Sequence, residues 1–140
     1  MTTVVDTNII TALWDSDDAL NATARSSLDA ALARGSLIVP APVYSELMAF
    51  AGRTESFLDT FLEETGIAVE WRVEERVWRA AGQAFQNYAG RRRRQREPGP
   101  RRILADFLIG AYAARHNFPL LTFDEGVYRA AFPALRIVRA

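Results

Sequence analysis

Short apolar runs alternate with longer segments of helical periodicity along this chain. Thr3 to Val5 reads as a short buried strand, and the helix-capping types Asp6-Thr7-Asn8 lead into a short helix over Ile9 to Trp14. A turn at Asp15 to Asp18 precedes a helix expected over Ala19 to Arg34, with Gly35 as its stop. Leu37 to Val39 is the second strand. Pro40 and Pro42 open a helix that carries Glu46 and is expected to end at Gly52. Thr54 caps a helix to about Glu64, and Ile67 to Val69 is the third strand. Val73, Val77, Ala81, Ala84, Phe85 and Tyr88 recur at helical spacing. The arginine-rich stretch with Pro98-Gly99-Pro100 reads as a loop. A helix over Ile103 to His116, a strand over Pro119 to Leu121, a helix over Glu125 to Ala131 and a strand over Leu135 to Val138 complete the chain. Strands alternating with helices predict an α/β fold, a parallel sheet covered on both faces.

Four acids break this apolar pattern. Asp6 closes the first strand, and Glu46 sits inside Val43 to Met48. Asp106 is embedded in Ile103 to Ile109, and Asp124 follows Leu120-Leu121-Thr122-Phe123. Carboxylates avoid such settings unless something compensates them. Ligand sites in open parallel sheets form beyond the carboxyl ends of the strands. Asp6 and Asp124 stand there directly, and Glu46 and Asp106 lie within about a turn of helix starts, so all four are expected to converge on one sheet edge.

Each acid also has a plainer reading. Asp6-Thr7-Asn8 serves as a helix cap, Asp106 as another, and Glu46 as a solvent-facing edge. Asp124-Glu125-Gly126 makes a turn, with Thr122 and Glu125 as a capping box. One shared site explains all four at once. Gathered carboxylates repel one another and take up protons unless a cation compensates them. Oxygen-only ligands favour hard ions, Mg²⁺ or Mn²⁺. The matching chemistry is phosphodiester hydrolysis by metal-activated water, with one ion or two.

Composition narrows the field. The 140 residues suit one compact domain, 1–140, with a sizeable core. Cysteine is absent, which removes disulfides and thiolate chemistry and fits a cytoplasmic location. A strand-like segment begins almost at Met1, leaving no room for a signal peptide, and no apolar run reaches membrane-spanning length. Net charge is zero, yet all 17 basic residues are Arg. Seven of them cluster as Arg91, Arg92, Arg93, Arg94, Arg96, Arg101 and Arg102, suited to phosphate by their planar forks. A solvated loop is the competing reading. His116 is the one histidine and suits a helix C-terminus better than catalysis. Trp14, Trp71 and Trp78 read as core or interface, and no glycine-rich phosphate loop is present.

Val4 to Ile10, Glu46 after a proline-flanked strand, Leu104-Ala105-Asp106 and Leu120 to Asp124, in this order over the whole chain, resemble PIN-domain proteins, and most of all the VapC-like toxins of bacterial toxin–antitoxin pairs. The resemblance implies a three-layer α/β/α sandwich with a central parallel five-stranded sheet. It implies an Mg²⁺- or Mn²⁺-dependent endoribonuclease with Asp6, Glu46, Asp106 and Asp124 as the catalytic acids and Asp6, Asp106 and Asp124 as metal ligands. Asn8 and Thr122 would support them by hydrogen bonds. The expected partners are RNA, an antitoxin protein and a second copy of the chain, with no membrane. The family often carries a basic residue where Phe123 stands, and Glu125 adds a further negative charge. The alternatives are a PIN nuclease of RNA processing without a toxin role, or a catalytically weak PIN domain that binds RNA or protein. A haloacid-dehalogenase-like phosphatase needs a second Asp where this chain has Asn8.

Overall fold

The apolar runs too short for helices lie side by side in the middle of the molecule. In the computed structural model, which describes residues 1–97 and 104–139, β1 (Thr2–Val5), β2 (Ser36–Pro40), β3 (Ile67–Glu70), β4 (Leu120–Thr122) and β5 (Ile137–Arg139) form one sheet ordered β3-β2-β1-β4-β5. Every neighbouring pair is parallel. Parallel neighbours need long crossovers, and helices supply them: α1 (Thr7–Trp14), α2 (Asn21–Arg34), α3 (Ala41–Leu47), α4 (Glu55–Thr65), α5 (Glu75–Arg94), α6 (Leu104–Arg115) and α7 (Glu125–Ala131). The result is a three-layer α/β/α sandwich. Val4, Val5, Val39, Leu120 and Leu121 are fully buried, as central strands covered on both faces require. Each such side chain contributes about 1.5–3 kcal/mol of burial.

Strand order sets where a ligand can sit. The chain builds outward from β1 through β2 to β3, then returns to lay β4 on the other side of β1. The direction of winding reverses between β1 and β4, which opens a crevice beyond their carboxyl ends. Asp6 leaves β1 at that point, and Thr122-Phe123-Asp124 leaves β4 beside it. Among the described residues, no helix is long and apolar enough to cross a membrane.

Several local expectations are corrected. The helix carrying Glu46 stops at Leu47 rather than Gly52. Beyond it the backbone tightens, with Ala49 N bonded to Glu46 O and Phe50 N to Leu47 O. This swings Phe50 edge-on to Trp14, ring centres 5.4 Å apart. The arginine stretch does not begin as a loop, because α5 continues to Arg94. Arg is a good helix former, and cations suit a helix C-terminus. The helix closes in a Schellman motif, Glu97 N to Arg92 O at 2.9 Å and Arg96 N to Arg93 O at 3.1 Å. Arg96 takes the left-handed position at φ 56°, where glycine is usual. Pro98-Gly99-Pro100, Arg101, Arg102 and Ile103 lie outside the described residues. Thr122 and Glu125 do not form a capping box, since Asp124 holds the N-cap position and Glu125 pairs with Arg129 at 2.6 Å. Of the three tryptophans read as core or interface, Trp71 and Trp78 are exposed and so do not belong to the core.

Candidate active site

All four acids singled out in the sequence line one cavity of about 260 Å³, together with Thr7, Asn8 and Thr11. Each arrives from a different element. Asp6 stands at the end of β1 and caps α1, its Oδ1 accepting from Thr7 N at 2.7 Å. The cap reading of Asp6 therefore holds, one oxygen serving the helix while the side chain also lines the cavity. Glu46 projects from the last turn of α3, Asp106 from the first turn of α6, and Asp124 stands at the N-cap of α7. Larger hollows occur against α2 and β3, about 290 Å³, and beside β5, about 590 Å³. Neither draws acids to the switch point, so chemistry rather than size selects the smaller cavity.

Hydrogen bonds from polar neighbours orient these acids. Thr122 Oγ1 donates to Asp6 Oδ2 at 2.7 Å and accepts from Asp124 N at 2.9 Å. Asn8 bridges the two strand ends, its Nδ2 donating to Thr122 Oγ1 at 3.4 Å and its Oδ1 accepting from Phe123 N at 3.3 Å. Thr7 Oγ1 donates to Glu46 Oε1 at 2.7 Å, fixing α3 against α1. Sequence reasoning singled out Asn8 and Thr122 but not Thr7 in this role. The only trace of it was the polar triplet Asp6-Thr7-Asn8.

Asp6 is only 4 % exposed. Burial pushes its carboxyl from 3.8 up to about 6; the Thr122, Tyr128 and Thr7 donors oppose the rise, and the charge of Glu46 adds to it. Tyr128 is a second buried polar residue at the site, at 1 % exposure. Burial first, then the charges of Asp6, Asp106 and Glu46, push its phenol far above the ordinary range. Its hydroxyl approaches Asp6 closely enough to favour the carboxylate, yet no acceptor meets it in hydrogen-bond geometry. Nothing in the sequence around Tyr128 distinguishes it from a core aromatic of α7.

A divalent cation suits this donor set. The cavity presents carboxylate, hydroxyl and amide oxygens from four elements, the hard donors that Mg²⁺ and Mn²⁺ prefer. Among the described residues, no three His, Cys, Asp or Glu side chains already stand close enough to hold an ion. Arg91 lines a neighbouring cavity of about 230 Å³ with Tyr88, Phe107 and Gly126. Phe107 follows Asp106 and Gly126 lies two residues past Asp124, but none of the four acids lines this second cavity. Arg92, Arg93, Arg94 and Arg96 continue from it, while Arg101 and Arg102 lie outside the described residues. His116 sits at the opposite end of α6 from Asp106, stacked on Phe118 and 3.8 Å from Glu74.

Solved structures share this arrangement of strands and helices. A chain of VapBC-1 from nontypeable Haemophilus influenzae is similar at TM-score 0.67 and 18% identity, covering 99% of this chain and 98% of that one. VapBC2 from Rickettsia felis bound to a DNA fragment from their promoter gives 0.65 at 16% identity, with coverage of 99% and 98%. A toxin-antitoxin complex from Klebsiella pneumoniae gives 0.66 at 18% identity, with coverage of 97% and 95%. At these identities the likeness speaks for the fold alone. No curated protein matches the sequence. The sequence itself matches the PIN domain over residues 3–133, nearly its whole length and every element of the acid cavity. The chain with four acids at the β1–β4 switch point belongs to the PIN domain family.

Proposed function

We propose that the protein is an Mg²⁺- or Mn²⁺-dependent endoribonuclease and the toxin of a toxin–antitoxin pair. The observation that carries this reading is the convergence of Asp6, Glu46, Asp106 and Asp124 on one cavity. Asp6, Asp106 and Asp124 would hold the ion, with Glu46 as a further carboxylate of the site. When bound, the ion supplies charge compensation and Lewis acidity toward a phosphodiester and the attacking water. The chain's own residues do the rest. Thr122 and the Thr7 N–H aim the two oxygens of Asp6. Asn8 fixes the end of β4, and Thr7 holds Glu46 in place.

The toxin assignment draws support from the similar fold of a chain in a toxin-antitoxin complex from Klebsiella pneumoniae. An antitoxin protein is the proposed partner, with a second copy of this chain in the assembly. The arginines at the end of α5 supply a basic flank that a polyanion approaching four acids requires. Cleavage of single-stranded RNA by wild type, Asp6→Asn and Asp106→Asn in Mg²⁺ and Mn²⁺ tests the enzyme reading. Both variants are expected to fold and to lose cleavage. Either variant retaining near-full activity removes its residue from the catalytic set, and an inactive wild type overturns the proposal.

A further inference from the structure

Tyr128 is a fully buried side chain whose hydroxyl has no hydrogen-bond partner. Buried hydroxyls are nearly always satisfied, so an orphan in a core calls for a cause. Its place in the fold supplies one. α7 starts directly after Asp124, and Tyr128 falls one turn later, on its buried face. Gly110 lies one turn after Asp106 on α6. A Cβ there would meet the Tyr128 ring at 3.1 Å and Phe132 at 2.4 Å. Glycine at this position therefore lets α7 press onto α6 through the Tyr128 and Phe132 rings. The phenol interacts with Asp6, whose two oxygens already accept from Thr7 N and Thr122 Oγ1.

We infer that Tyr128 is a positioning residue for the Asp6 carboxylate, its hydroxyl held in reserve as a third donor that engages when Asp6 takes a divalent cation. This rests on the reading that the cavity binds such a cation. A ligating carboxylate needs its free lone pairs held by donors, and loss of such a donor weakens metal affinity by about 10–100-fold. A hydroxyl kept out of water but short of a formed bond can take up that role with a small rotation. A purely structural tyrosine would gain nothing from a buried hydroxyl in this place.

Tyr128→Phe keeps the ring that packs on Gly110 and removes only the hydroxyl. Titration with Mn²⁺ alone, followed by calorimetry, is expected to show an affinity at least tenfold weaker than wild type. The melting midpoint in chelator is expected to be unchanged or higher, because an unpaired buried hydroxyl has been removed. A second measurement does not depend on comparing affinities. Adding Mg²⁺ to wild type should perturb the near-ultraviolet tyrosine absorption, and Tyr128→Phe at saturating Mg²⁺ should lose that difference band. Wild type that binds Mn²⁺ beside a variant of equal affinity, or a band that survives in the variant, overturns the role of Tyr128 and leaves the cation reading intact. Wild type that binds no cation overturns both.

Discussion

The Thr122 hydroxyl donates to Asp6 Oδ2 at 2.7 Å across 116 residues of sequence, and the same oxygen accepts the backbone N–H of Asp124 at 2.9 Å. One hydroxyl thus ties together two of the four acids and the two strands at the switch point. Thr122→Val keeps the shape and removes the oxygen. It leaves an Asp6 oxygen and the Asp124 N–H without their partner, each at about 1–3 kcal/mol when buried. A lower melting midpoint in chelator and weaker Mn²⁺ binding are expected, with Thr122→Ser restoring both. Serine behaving like valine would show that the methyl group, not the hydroxyl, matters here.

Asp6 makes the metal-free protein sensitive to pH in a defined direction. Its folded carboxyl titrates at about 6 against 3.8 for the unfolded chain, chiefly through burial. Between those values the folded state holds more protons than the unfolded one, so stability falls as pH rises across the window and stays lost above it. The total is on the order of 3 kcal/mol. In chelator, wild type should lose stability relative to Asp6→Asn between about pH 4 and pH 6, and Asp6→Asn should melt higher at pH 7.5. Mn²⁺ should raise wild type and leave the variant unmoved. A variant less stable than wild type at pH 7.5 in chelator would mean that the carboxylate is already compensated within the protein.

Gly110 and Gly82 make a matched pair, since both are helical and only one is crowded. A Cβ at Gly82 meets nothing within 4 Å, while one at Gly110 meets Phe132 at 2.4 Å. Replacing helical glycine by alanine favours the helix by about 1 kcal/mol. Overpacking costs about 1–3 kcal/mol and wins where rings must move. Gly82→Ala should therefore raise the melting midpoint and Gly110→Ala lower it by several degrees. An equal rise in both would show that α7 yields to α6 at no expense.

The sequence carried the sheet well, because runs such as Leu120-Leu121 and Leu37 to Val39 are short, apolar and bounded by turn residues. Convergence of the acids followed from the rule that places ligands at strand carboxyl ends, and Asp6 and Asp124 stand there in the structure. What stayed hidden depends on helix rotation and chain return. Thr7 meets Glu46 across 39 residues, and no periodicity announces that contact. Tyr128 looks like any core aromatic until Gly110 shows where α7 is pressed. The arginines read as loop in the sequence because Pro98-Gly99-Pro100 follows them, yet arginine propensity carries α5 to Arg94 before any proline can act.

That helical extension changes what the arginines can do. On a loop they would be a diffuse charge, whereas on α5 Arg91 lines a cavity with Tyr88, Phe107 and Gly126, residues of α5, α6 and α7. Fixed phosphate contacts release counterions, and single-strand affinity then falls with salt at a slope of about −0.7 per neutralised phosphate. Replacing Arg91, Arg92, Arg93 and Arg94 by Gln should weaken RNA binding across sequences and flatten that slope. Gln retains good helix propensity, so α5 should survive and Mn²⁺ affinity should not change. Filter binding at several salt concentrations checks the slope, and calorimetry checks the metal. If the Gln variant keeps its RNA affinity and slope but no longer holds its protein partner, the end of α5 is a docking element for that partner, and RNA must reach the acids by another face.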